Sequence, residues 1–268
     1  MIDYYQNQKE EQRKRKRRKW RIFLFSFVFV VVIVGIAFFM NSSFFQIREV
    51  RIEGTKTLDQ ALLKEGLAKF DKERSWISRL IIPQNSTIIP YLEGSKISSV
   101  LKENNYPIRN IEIKTSLSKK TVDIKITERD RFALWCKEKE NTQCWWMDND
   151  GFLFVEGPHT EGGLIKKIVD YSDVEVLPGK YPLDKDYSQR VVEIFNFLEN
   201  KNIAIQTLVF KSPELAQIDT YTQESYPVFY FSLRHSPSFA SKTIDELKDK
   251  FSKIEYIDLT VNNRVYYK

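Results

Sequence analysis

The sequence predicts an α+β protein with a single N-terminal transmembrane helix, a β-α-α-β-β module and then a β-rich domain with two flanking helices. Three observations carry that expectation. Nineteen consecutive residues, Ile22 to Met40, hold no charge. Beyond them, short runs of alternating apolar and polar residues interleave with runs of helical spacing. From about residue 129 onward, aromatic-rich runs of strand length are separated by turn dipeptides.

Composition sets outer limits. Across 268 residues, 42% are hydrophobic and 29% charged, which excludes wholesale disorder. A mean hydropathy of −0.41 excludes a polytopic membrane protein. Nine Gly and nine Pro exclude collagen-like character. Two Cys and two His leave little room for a structural zinc site, which takes about four such ligands.

The net charge of +6 is localised. Residues 1–21 carry nine basic residues (Lys9, the run Arg13 to Lys19, and Arg21) against Asp3, Glu10 and Glu11. The rest of the chain holds 33 basic and 33 acidic residues, so its bulk has no overall bias toward nucleic acid.

That basic tail directly precedes the apolar stretch. As a helix, 22–40 is about 28 Å long, close to the hydrocarbon thickness of a bilayer. Cations crowd one flank, Trp20 stands at the boundary, and the next cation on the other flank is Arg48. The positive-inside rule then places residues 1–21 in the cytoplasm and the chain beyond about residue 41 outside. A cleaved signal peptide is the competing reading. The stretch exceeds the usual apolar core of about 7–15 residues, and no A-x-A-like site follows it. An uncleaved anchor in the cytoplasmic membrane is expected.

The β-α-α-β-β module occupies 45–128. Gln46–Glu53 reads as a strand closed by Gly54. Thr57-Leu-Asp-Gln60 has the form of a capping box, opening a helix with Leu58, Ala61 and Leu62. Residues 69–93 read as irregular, with Pro83 and Pro90 as breakers. Ser95 is expected to cap a second helix carrying Ile97, Val100 and Leu101 on one face, ended by Pro107. Ile108–Lys114 and Thr121–Thr127 follow as strands, the second alternating Val122, Ile124 and Ile126 with Asp123, Lys125 and Thr127.

The β-rich domain spans 129–268. Phe132–Cys136, Cys144–Met147, Phe152–Val155 and Ile165–Val169 read as strands. A helix across Tyr187–Asn200 carries Val191, Ile194, Phe195 and Leu198. Ile203–Phe210, Leu215–Tyr221 and Val228–Leu233 are further strand candidates. Thr243-Ile-Asp-Glu246 predicts a second capped helix. Tyr256–Val261 and Arg264–Tyr267 form a terminal pair around the turn Asn262-Asn263.

This ordered set resembles the FtsQ/DivIB family of bacterial cell-division proteins. The matching stretches are FQIREVRIEGTKTL, IEIKTSLSKKTVDIKITERDRFALW, CWWMDNDGFLF and YIDLTVNNRVYYK. The resemblance implies that 45–128 is a POTRA domain. It implies a non-enzymatic, single-pass scaffold of the division septum that joins septal peptidoglycan synthesis proteins. Its partners would be FtsB/DivIC-like and FtsL-like bitopic proteins, with a septal peptidoglycan synthase as a further candidate. Family members use their C-terminal strands for this, which on this chain are Tyr256, Asp258, Leu259, Val261, Arg264, Val265, Tyr266 and Tyr267. The long segment between the two helices and the two cysteines depart from the family pattern.

Other chemistry is sparse. Cys136 and Cys144 flank a short polar connection, which predicts a disulfide in an oxidising compartment, the alternative being two packed thiols. Asp148-Asn-Asp-Gly151 resembles a fragment of a calcium loop, but the remaining ligands are absent and an ordinary turn is expected. His159 and His235 stand in loops without a recognisable nucleophile, and Glu128 with Asp130 reads as a surface pair. No cofactor, metal site or catalytic residue is expected. An independent argument favours the C-terminal strands: a final strand leaves one row of backbone donors and acceptors free for strand addition. The alternatives are a POTRA-containing secretion or outer-membrane assembly factor, which would need serial POTRA copies or barrel strands, and a membrane-anchored cell-wall enzyme, which would need a pocket of clustered reactive side chains.

Overall fold

The computed structural model describes residues 2–268 except 41, 57, 59, 76–81, 83, 84, 105, 139–142, 161, 162 and 222–225. It has mixed α+β architecture, with a long helix, α1 (Ile2–Met40), followed by a largely β body with few helices. Within α1, the most apolar 18-residue window of Lys19–Met40 has a mean hydropathy of 3.1 and none of it is buried. By length and composition this helix can cross a membrane, which is compatible with a single-pass protein. The chain divides into two compact units, one comprising Met1–Asn104 with Asn110–Thr127 and the other Asn105–Arg109 with Glu128–Lys268.

In the first unit, β1 (Glu49–Glu53) is followed by α2 (Gln60–Glu73), α3 (Ile88–Asn104), β2 (Ile108–Ser116) and β3 (Thr121–Glu128). The sheet order is β1-β3-β2, so β3 is central. A crossover through helices lets β1 run parallel to β3, in the register Val50 to Val122 and Ile52 to Ile124. Val122, Ile124 and Ile126 of β3 are buried while Asp123, Lys125 and Thr127 are exposed. Leu63 and Phe70 of α2 and Ile97 and Leu101 of α3 are also buried.

Gly54 closes β1 with φ +89°, and a Cβ there would stand 2.1 Å from the Ile126 carbonyl oxygen. Only glycine fits that approach.

The segment 69–93 is more regular than expected. Helix α2 continues to Glu73 and α3 begins at Ile88. Pro90 lies in the first turn of α3, where its missing N–H has no intrahelical acceptor to lose. The helical run breaks at Glu93 (φ −116°, ψ 16°), where two helices meet at a kink, so a second helix does begin close to Ser95, the position expected to open it. Thr57 and Asp59 of the expected capping box lie outside the described residues, and α2 begins at Gln60.

The second unit is a nine-stranded sheet. Its strands are β4 (Ala133–Lys137), β5 (Gln143–Met147), β6 (Leu153–Gly157), β7 (Lys167–Asp170), β8 (Thr207–Phe210), β9 (Gln217–Thr220), β10 (Val228–Ser232), β11 (Tyr256–Leu259) and β12 (Tyr266–Tyr267). Among the described residues two α-helices accompany them, α4 (Lys185–Asn200) and α5 (Ser241–Leu247). The spatial order is β12-β11-β10-β9-β8-β7-β4-β5-β6.

Two of the parallel pairs explain where the helices go. β7 pairs with β8 across α4, and β10 pairs with β11 across α5. β8, β9 and β10 alternate in direction, so β10 points the same way as β8 and hence as β7. Both crossovers therefore step in one direction along the sheet from strands of one polarity. With the usual right-handed connection, both helices must land on the same face. One continuous core results: Val191, Ile194, Phe195 and Leu198 of α4 and Ile244 and Leu247 of α5 join Leu208, Phe210, Ile218, Phe229, Phe231, Ile257 and Leu259.

Three expectations are corrected here. Thr243 lies inside α5; the preceding 3-10 turn, Pro237–Ala240, is capped by Ser236, whose side chain accepts from the Ser238 N–H. Ile203 and Ile205 are buried, but pairing starts only at Thr207, because their run is a loop into the sheet. Asn262 and Asn263 do form the turn, closed by Arg264 N–H on the Val261 carbonyl. Strand pairing resumes only at Asp258 with Tyr266, so the connection is longer than a two-residue hairpin.

Asp148-Asn-Asp-Gly151 is a tight turn, with the Gly151 N–H on the Asp148 carbonyl at 3.0 Å. The Asp148 carboxylate accepts from the Asp150 and Phe152 N–H groups, both at 2.9 Å. Gly151 has φ +82°, and a Cβ there would lie 2.7 Å from the Ser188 backbone of α4. Gly151→Ala is expected to destabilise this unit by about 2 kcal/mol or more, from backbone strain plus a clash that a backbone cannot relieve cheaply. Gly163→Ala, with no neighbour within 4 Å, should shift stability by less than about 0.5 kcal/mol. Urea unfolding of the two variants checks the contrast.

Candidate partner-binding edge

β12 is one rim of the nine-stranded sheet. It pairs antiparallel with β11 in the register Ile257 to Tyr267 and Asp258 to Tyr266. Just past it, the Lys268 N–H donates to the Tyr256 carbonyl at 3.2 Å. Backbone groups alternate sides along a strand, so those of Lys268 and Tyr266 turn toward β11 and those of Tyr267 turn outward. No described strand pairs with that outer side.

The side chains divide by face in the same register. Tyr267 shares a face with Ile257, which is fully buried in the core, yet Tyr267 itself is 56% exposed. It extends the core face past the last covered strand. Tyr266 lies with Asp258 on the opposite face and is 46% exposed. One strand further in, Tyr230 aligns with Asp258 and, on its other side, with Asp219. The Tyr230 and Tyr256 rings lie 6.0 Å apart.

The eight expected residues therefore have different roles. Tyr266, Tyr267, Val261 and Arg264 are exposed. Tyr256 and Asp258 are half-buried; Asp258 accepts from the Thr260 N–H at 2.8 Å and hydroxyl at 2.6 Å, which orders the strand end. Arg264 donates to the Tyr266 hydroxyl at 3.3 Å, and that bond raises its pKa. Val265 packs against the core from a partly buried position. Leu259 is 1% exposed and has no surface to offer a partner.

Asp219 is the residue on this face that the sequence did not mark. It is buried, with Lys211 at 2.8 Å and the Gln217 amide at 2.6 Å. Its carboxylate raises the pKa of Lys211, first through the hydrogen bond and then through charge. Gln217 is its same-face neighbour two residues earlier on β9, but an isolated Asp in an alternating strand carries no sign of the Lys211 pairing, which only the β8–β9 register brings about.

Elsewhere in the unit, Cys136 and Cys144 face one another across β4 and β5 and their sulfurs are bonded. Asp148, 2% exposed, pairs with Arg129 at 2.5 Å, and the Arg129 guanidinium lies 4.0 Å from the centre of the Phe152 ring. Asp170 is buried and accepts from the Trp135 indole at 2.9 Å, with the Lys137 ammonium at 3.2 Å. These carboxylates have structural partners that account for their burial. His159 is exposed, and His235 bonds the Thr260 carbonyl at 3.0 Å. Among the described residues no three His, Cys, Asp or Glu side chains group as a metal would require.

Fold and site together define an α+β protein with one helix able to cross a bilayer and a sheet that ends in an exposed, tyrosine-bearing edge. No protein-family model matches the chain, and no curated protein matches it at significant similarity.

Two substitutions separate core from surface. Leu259→Ala should cost about 2–5 kcal/mol by opening a cavity, whereas Tyr266→Ala should cost less than about 0.5 kcal/mol. Thermal and denaturant unfolding measure both. Replacing both cysteines by serine should cost about 2–3 kcal/mol, the value for opening so short a loop in the chain-entropy account, read by the same unfolding curves.

Proposed function

We propose that this protein is a membrane-anchored, non-enzymatic scaffold of the bacterial division machinery, of the FtsQ/DivIB kind. In this reading Lys19–Met40 spans the cytoplasmic membrane with the basic tail inside, since cations are retained on the cytoplasmic flank. The first unit is a POTRA domain: its β-α-α-β-β order and its central β3 support that reading. The second unit docks a strand from an FtsB/DivIC-like protein bound to an FtsL-like one, and so helps to assemble septal peptidoglycan synthesis at the division site.

The observation that carries the proposal is the edge at β12. Tyr267 offers an outward N–H and C=O, and its ring continues the apolar face beyond Ile257. An incoming strand would gain main-chain hydrogen bonds from the first and an apolar platform from the second. Exposed tyrosines suit such a role, because a large rigid ring gives contact area at low entropic cost.

The test alters the edge without removing core. Deleting the chain from Tyr256 onward would also remove buried Ile257 and Leu259, so a backbone substitution is cleaner. Tyr267→Pro removes an N–H that β11 does not use. It is expected to abolish capture of the FtsB/DivIC–FtsL pair from detergent extracts while leaving the unfolding midpoint close to the parent's. Tyr267→Phe should retain capture. Equal capture by the proline variant and the parent would remove strand addition at β12 from the proposal.

A further inference from the structure

The stretch that leaves α1 is not a free tether. Past Met40, the Ser42 N–H bonds the Phe39 carbonyl at 3.1 Å and the Phe45 N–H bonds the Ser42 carbonyl at 3.2 Å. The Phe39 and Phe45 rings meet edge to face at 5.3 Å. On one side, residues 85–87 strap this stretch down. The Phe45 carbonyl accepts from the Thr87 N–H at 2.7 Å and hydroxyl at 2.9 Å, and the Ile47 N–H reaches the Asn85 carbonyl at 2.7 Å. On the other side lies the β2–β3 turn. The Lys120 ammonium donates to the Ser43 carbonyl at 2.8 Å and sits 5.6 Å from the centre of the Phe44 ring, and the Arg48 N–H bonds the Lys120 carbonyl at 2.9 Å.

This clamp sets a distance. If Lys19–Met40 fills the hydrocarbon layer, Ser43 lies within the headgroup zone that adds about 5–8 Å on each side of the bilayer. The clamp then brings the β2–β3 turn and the 85–87 strap to the same level. The exposed side chains there match an interface in kind. Phe44, Tyr91 and Leu92 are apolar and exposed, and the Tyr91 N–H bonds the Thr87 carbonyl, which ties the first turn of α3 to the strap. Arg48 and Lys119 are exposed cations, and Lys120 keeps two ammonium donors beyond the one given to Ser43. Two acids adjoin these residues in sequence: Glu49, paired with Arg51 at 2.8 Å, and Glu93, which is half-buried beside Leu92 at the kink of α3. Aromatic and aliphatic side chains mixed with cations are what a headgroup layer selects.

We infer that this end of the first unit rests on the bilayer surface, with Arg48, Lys119 and Lys120 on the phosphates of anionic phospholipids and Phe44, Tyr91 and Leu92 at the acyl boundary. The inference depends on Lys19–Met40 being a span and is independent of the family and of the partner at β12. Each cation near an anionic surface contributes roughly a five-fold factor to association.

The full chain, reconstituted in vesicles of phosphatidylcholine or of phosphatidylcholine with phosphatidylglycerol, carries an environment-sensitive fluorophore at Ser118→Cys or, separately, at Val32→Cys. With phosphatidylglycerol present, the Ser118 label should be shielded from aqueous cobalt and quenched by headgroup spin-labelled lipid. Arg48→Glu with Lys119→Glu should return it to the quenching seen in phosphatidylcholine alone; neither side chain anchors the clamp, and an unchanged signal from the Val32 label verifies that the variant remains inserted. Three results would overturn the inference: a Ser118 label equally open to cobalt in both lipids, shielding that the charge reversals leave intact, or shielding that grows with the ratio of protein to lipid and so reports a second copy. A Val32 label open to cobalt would reject the span reading itself, and the inference with it.

Discussion

The one-sided arrangement of the second unit follows from the polarity of its strands. Two parallel pairs, β7 with β8 and β10 with β11, each need a crossover, and each crossover is a helix moving the same way along the sheet. The right-handed twist of the chain leaves one face for both. A single core then forms beneath α4 and α5, in which Phe195, Phe210, Phe229 and Phe231 are essentially fully buried. The opposite face keeps half-buried residues such as Val209, Tyr230 and Tyr256.

The same constraint shapes the β12 rim. β11 is held by its parallel pairing with β10 and by Ile257 and Leu259 in the core. Among the described strands β12 pairs with β11 alone, and it is two residues long. An edge this short is the usual protection against indiscriminate pairing between molecules. Its tyrosines, and Tyr267 as the residue whose N–H and C=O turn outward, restrict what it can accept, which is how an edge becomes selective.

Buried charge is used in this unit to fix positions. Asp148 gathers two N–H groups and Arg129 around one turn, and Asp170 joins Trp135 and Lys137 beneath β4 and β7. Such groups are costly to bury unless every lone pair is met. Once met, they penalise any shift of register, because a one-residue slip would strand the carboxylates without partners.

How much of this was legible varied with the range of the interaction responsible. Patterns that a segment carries by itself were read from the sequence: the apolar run inside α1, the period-2 alternation of β3, the amphipathic spacing of α4 and the turn at Gly151. Helix ends were read less well, because Pro90 in a first turn and Thr243 within α5 look locally like a breaker and a cap. The eight expected residues fall on β11, on β12 and on the connection between them, and the sequence could not separate buried Leu259 from exposed Tyr266. What the sequence by itself determined is the order of elements and the apolar face of each strongly periodic segment, since those depend on neighbours within one or two turns of chain. Only the tertiary structure decided which strand stands beside which, that Asp219 meets Lys211, and that Tyr267 faces outward, because strand register is set by contacts between segments far apart in the chain and one residue of slip reverses every side chain.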